Sequence, residues 1–174
     1  MQGEIRYNCE GCGEEGVPPM CGCGEALTPV GAADATDPDR PKRIYVASRA
    51  SVPARPAMWR CYRERWRPER EIVSTWIDES GPGETASFAD LWSRIVSEVL
   101  SSDLVIVYAE QDDFPLKGAY VEVGAALGAG IPVAVVLPGV MLDSSRRPIG
   151  SWVEHPLVTL YESVEAIASV TEAS

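Results

Sequence analysis

Four thiols and one carboxylate are the residues whose type and setting first suggest chemistry. Cys9, Cys12, Cys21 and Cys23 lie in CEGCGEEGVPPMCGCGE: a Cys-x-x-Cys, eight residues, then a Cys-x-Cys. Thiolates that share a tetrahedral ion must converge at roughly 2.3 Å from it, and glycines let a chain turn that tightly. The spacing predicts a structural zinc. A closed four-sulfur site has no open position for a substrate, so this segment is expected to clip or dock rather than react. The other reading is a tail of redox-labile thiols. The carboxylate is Glu122, in PLKGAYVEVGAALGAG (115–130). It falls in the first turns of a predicted helix, where the dipole favours the ionised form. It is either catalytic or a plain complement to that dipole. Gly118, four residues earlier, would let a ligand approach the backbone, and Lys117 stands beside it. Gly124 and Gly128, one turn apart, suit close contact between helix and sheet.

Other polar residues fall where they can assist. ASRAS (47–51) is a small polar loop, and Ser48, Arg49 and Ser51 there can hold a phosphate or a sugar hydroxyl at a helix N-terminus. Asp113 and Asp112 follow a predicted strand. Asp90 is either a second acid or, in Ser87-x-x-Asp90, half of a capping box. Trp76 either stacks on a base or fills the core. His155, the sole histidine, lies in a loop before Pro156, and Cys61 reads as a packed small apolar residue.

These residues need elements to place them. Residues 24–42 are rich in Pro, Gly, Ala, Thr and Asp without periodicity, which suits a linker. Three segments are therefore expected: a zinc-ribbon-like head at 1–24, a linker at 25–42, and an α/β domain at 43–174. In the last, strands are predicted at RIYVAS (43–48), EIVSTWI (71–77), DLVIVYA (103–109), IPVAVVLP (131–138) and LVTLY (157–161). Helices are predicted at 54–67, 87–102, 118–130 and 162–170. The alternation predicts a doubly wound, mostly parallel five-stranded sheet flanked by helices, with its ligand crevice beyond the carboxyl ends of the strands. Glu122 and the 47–51 loop both belong at that crevice.

Charge narrows the partners. Fifteen Lys and Arg face 26 Asp and Glu in 174 residues, a net charge of −11. So acidic a surface repels phosphate backbones and anionic lipid, which disfavours broad nucleic-acid or membrane-surface binding but does not exclude a small nucleotide in a pocket. Six of the twelve basic residues in 43–174 lie between Arg55 and Arg70. They make the first helix either electropositive or merely solvated. No apolar run reaches the roughly 18 residues that span a bilayer, and no leader is visible, so a cytoplasmic protein is expected.

RIYVASRAS, VSTWIDES, SSDLVIVYAE, DFPLKGAYVEVGAALGAGIPVAVV and SWVEHPLV together resemble the nucleoside 2-deoxyribosyltransferase-like superfamily, in its uncharacterised phage and bacterial branch. The resemblance covers about residues 42–170, and the Gly-x-x-x-Glu-x-Gly segment is its most specific part. It implies cleavage or transfer at the N-glycosidic bond of a nucleoside or nucleoside monophosphate. Glu122 would attack the anomeric carbon, and Asp90 would assist the departing base. In the related nucleotide N-hydrolases the first loop holds the phosphate, which here means Ser48, Arg49 and Ser51. Where the family's transferases carry an Asp six residues before the nucleophile, this chain has Leu116, with Asp113 three residues further back. A homo-oligomer and no organic cofactor are also implied. The alternative is a nucleotide-binding module without turnover, whose zinc head docks a partner.

Overall fold

A computed structural model describes residues 40–79 and 87–171, together with three two-residue strands before them. These are β1 (Tyr7–Asn8), β2 (Glu15–Gly16) and β3 (Thr28–Pro29), an antiparallel sheet in the order β2-β1-β3. The chain divides into two compact units, Met1–Asp39 and Arg40–Ser174. The four clustered cysteines and most of the expected linker lie outside the described residues.

The second unit is a five-stranded parallel sheet in the order β5-β4-β6-β7-β8. Its strands are β4 (Lys42–Ala47), β5 (Arg70–Ile72), β6 (Leu104–Tyr108), β7 (Val133–Val136) and β8 (Val158–Tyr161). Four helices connect them: α1 (Ala54–Trp66), α2 (Phe88–Leu100), α3 (Lys117–Gly128) and α4 (Val164–Thr171). The β-branched runs in β4, β6 and β7 are buried almost to the residue, as strands covered on both faces must be. Alternation then sorts their side chains. Tyr45, Ala47, Val105, Val107, Val133 and Val135 meet α2 and α3 through Ile95, Val99, Val123 and Ala126. Ile44, Val46, Ile106, Tyr108, Ala134 and Val136 meet α1 and α4 through Trp59, Trp66, Val164 and Ile167. Trp59 is fully buried amid Tyr62, Trp66 and Tyr108.

The second strand is shorter than the expected 71–77. It ends at Ile72, and Thr75–Asp78 turn into a 3-10 helix. Side chains take over the ladder: Ser74 Oγ accepts the Val46 N–H at 2.6 Å, and the Trp76 indole donates to the Val46 carbonyl at 2.7 Å. The backbone of β4 is thus satisfied without a longer edge partner. α2 opens with one half of the expected capping box, Ser87 Oγ accepting the Asp90 N–H at 3.0 Å.

Because β5 and β6 flank β4 on opposite sides, the winding reverses at β4 and β6. That switch point opens a crevice beyond the ends of these two strands.

Candidate active site

The crevice holds a cavity of about 440 Å³ lined by Ser48 and Arg49 after β4, Asp113–Ala119 after β6, and Glu122 on α3. Of the residues singled out in the sequence, Ser48, Arg49, Asp113, Lys117, Gly118 and Glu122 meet here, along with Leu116. Each comes from a strand end or from the start of α3, where parallel sheets gather loops.

Glu122 is only 8% exposed. It lies in the second turn of α3, one position from Val123, which faces the sheet. Its Oε1 accepts a 2.8 Å hydrogen bond from the Tyr45 hydroxyl, itself fully buried on β4. Among the described residues no Lys or Arg forms an ion pair with Glu122. Burial, with a smaller contribution from the charge of Glu98, pushes its carboxyl up to about 7 against the lowering pull of the Tyr45 bond. This corrects the expectation of a carboxylate kept ionised by the helix dipole. The dipole fades beyond the first turn, and desolvation outweighs it. Burial and the neighbouring Glu122 hold the Tyr45 phenol well above its ordinary range, so it remains a donor.

Around Glu122 the polar groups divide into occupied and open. Asp113 is buried, and its Oδ2 accepts from Arg55 Nη2 at 2.9 Å and from the Glu110 N–H at 2.8 Å. Arg55 also binds Glu110 at 2.7 Å and lies over the Tyr108 ring, 4.7 Å from its centroid. This knot ties α1 to the 110–113 turn. Arg49 grips the same turn through Asp112 O at 2.7 Å and reaches Ser51 Oγ at 3.2 Å. Ser51 therefore orients Arg49 and is not itself a lining residue. Ser48 Oγ is shielded from solvent and has no hydrogen-bond partner among the described residues. A ligand oxygen would satisfy it. Lys117 is exposed at the start of α3 and makes no ion pair among the described residues.

Several expectations are corrected. Asp90 is exposed on the first turn of α2 and is not among the lining residues. Trp76 belongs to the core, since its indole is committed to β4 and cannot stack on a base. Gly124 and Gly128 are exposed, and a Cβ at either would meet nothing within 4 Å. Val123 and Ala126 face the sheet in their place. A Cβ at Gly118 would make ordinary contact with Trp92 at 3.7 Å. Several cations of α1 are engaged within the fold: Arg55 as above, Arg63 by Asp78 at 2.7 Å, while Arg60 donates to Ile77 O. His155 is exposed, and its Nδ1 accepts the Leu157 N–H. Cys61 is exposed.

The sequence reading missed Tyr45 and Arg55 as contributors to the site. No group of three or more metal-binding side chains occurs among the described residues. Among the described residues no helix is long and apolar enough to cross a membrane.

Compared with protein-family models and with curated proteins, the chain matches none. Among solved structures it is similar to the 2-desoxiribosyltransferase from Leishmania mexicana. The TM-score is 0.55 at 19% identity, over 76% of this chain and 98% of that one. The chain shares that protein's fold.

Proposed function

We propose that the chain cleaves or transfers at the N-glycosidic bond of a nucleoside or nucleoside monophosphate, with Glu122 as nucleophile. The observation that carries this reading is a buried carboxylate on a cavity wall, held by one phenol and, among the described residues, by no cation. A carboxylate left without a counter-charge retains its lone pairs for an electrophilic carbon. Its ionised Oε attacks C1′, the bond to the base nitrogen breaks, and the electron pair leaves with the base. The resulting sugar ester is then opened by water or by a second base, regenerating the carboxylate. The departing base takes up a proton as it leaves; of the two acids considered for this, Asp113 lines the cavity and is held by Arg55, and Asp90 is not among the lining residues. Arg49, Lys117 and the unpartnered Ser48 hydroxyl favour a substrate that carries a 5′-phosphate.

The test is release of free base, read by chromatography, from a panel of nucleosides and their monophosphates. Glu122→Gln keeps the volume and removes the nucleophile, so a loss of at least about 100-fold is expected. Release at the wild-type rate by a folded Glu122→Gln protein contradicts the reading. The shielding of Glu122 favours a second reading, nucleotide binding without turnover. Calorimetric binding with the nucleotide recovered intact would select it.

A further inference from the structure

Besides Glu122, one other buried carboxylate lines the cavity, and it keeps an oxygen free. Asp113 closes the 110–113 turn, and its side chain is 3% exposed. Its Oδ2 takes two hydrogen bonds, from Arg55 Nη2 at 2.9 Å and from the Glu110 N–H at 2.8 Å. Oδ1 has no partner among the described residues, yet it is not sealed from solvent as Ser48 Oγ is. The opening that Asp113 lines is the cavity. Arg55 is itself buried, pinned by Glu110 and by the Tyr108 ring, and is not among the lining residues. With both donors gathered on one oxygen, the carboxylate is fixed in direction and its other oxygen is left for a ligand.

We propose that Asp113 reads a hydrogen-bond donor of the bound nucleoside through Oδ1, and so sets which nucleosides the site takes. The inference rests on the nucleoside reading given above. A carboxylate paired with Arg55 accepts and does not donate, and it repels a phosphate. It therefore meets a neutral part of the substrate, whose donors are the amino group or ring N–H of the base and the hydroxyls of the sugar. The cations of the cavity, Arg49 and Lys117, are left for an anionic group. A ligand with a carbonyl where the donor belongs sets acceptor against acceptor and leaves the buried oxygen unpaired. Asp113 is thus a specificity residue, and Arg55 a positioning residue that acts through it.

The test is calorimetric binding to the full chain carrying Glu122→Gln, which keeps the ligands intact. The matched pairs are deoxyadenosine against deoxyinosine, deoxycytidine against deoxyuridine, and deoxyadenosine against 2′,3′-dideoxyadenosine. At least one donor-bearing member is expected to bind about tenfold tighter than its mate. In Asp113→Asn, the Arg55 and Glu110 donors keep the amide oxygen on their side, so the NH2 takes the place of Oδ1. A base preference is then expected to invert, because a carbonyl now fits. A sugar preference is expected to shrink several-fold, because a hydroxyl can turn and accept. Affinities within about threefold across every pair, or ratios unchanged in a folded Asp113→Asn protein, overturn the assignment. Should that variant fail to fold, Arg55→Met with Asp113→Leu removes both charges of the pair and is expected to erase the preference; its persistence overturns the assignment. Base release without an Asp113-dependent preference removes this inference and leaves the proposed reaction standing. The preference without release does the reverse, and no binding of any member overturns both.

Discussion

Glu122 gives up most of its water to the packing of α3 on the sheet and gains one phenolic hydrogen bond in return, which leaves its midpoint at about 7. Two consequences follow from the sign of that displacement. If the ionised form attacks, base release should climb about tenfold per pH unit below 7 and level off above it. Tyr45→Phe removes the bond that favours ionisation, so its profile should be displaced to higher pH; an unchanged midpoint in a folded variant would mean that Tyr45 does not govern Glu122. The second consequence is for stability. Between the ordinary carboxyl value of 4.5 and about 7, the native state binds more protons than the unfolded chain. The Glu122 contribution to stability is therefore complete below 4.5 and falls as pH rises through that window, by at most about 3 kcal/mol. Acids with lowered midpoints, such as Glu110 and Asp78, act in the opposite sense at lower pH. Denaturation of wild type and Glu122→Gln at several pH values isolates the term, and parallel curves between pH 4.5 and 7 would contradict it. Glu122 was legible in the sequence because a glutamate near a helix start after a buried strand must lie at the crevice. Tyr45 was not: inside RIYVAS it reads as one more strand residue, and its partner is 77 positions away.

At the scale of elements, the cavity depends on the 110–113 turn keeping its shape. The buried Arg55–Asp113 pair, with Glu110 and the Tyr108 face, is what holds that turn to α1. Removing one partner of a buried pair leaves the other charge desolvated. Arg55→Met is thus expected to cost about 3–5 kcal/mol in chemical denaturation, with base release reduced beyond the loss of folded protein. A cost under about 1 kcal/mol would show the turn to be held by other contacts. None of this could be read from a run of arginines, because their acids lie on other elements. Periodicity and β-branched runs did place the four α-helices and four of the five strands of the parallel sheet to within a few residues. EIVSTWI misled because its continuation looks like strand, whereas Ser74 and Trp76 use side chains to serve Val46. A side chain standing in for a ladder leaves no period to detect.

Across the whole molecule, charge and topology divide the work. The chain carries a net charge of −11, while a switch point between β4 and β6 creates a place where Arg49, Lys117 and Glu122 converge. The fold class was legible because strand and helix alternate so regularly. The proposed reaction rests on the resemblance and on the site, since at 19% identity a shared fold leaves the chemistry to the site itself. The head is argued from spacing alone. Metal analysis of purified protein is expected to return about one zinc per chain, lost in the Cys9→Ser, Cys12→Ser double variant. A metal-free wild type purified without chelator would contradict a four-thiolate site.

The most direct measurement is intact mass spectrometry of protein quenched in acid during turnover of a deoxynucleoside or its monophosphate, followed by peptide mapping. A sugar adduct on the peptide that contains Glu122, absent from Glu122→Gln, is the expected result. Base release by the wild type with no adduct at any quench time, together with undiminished release by Glu122→Gln, would contradict it.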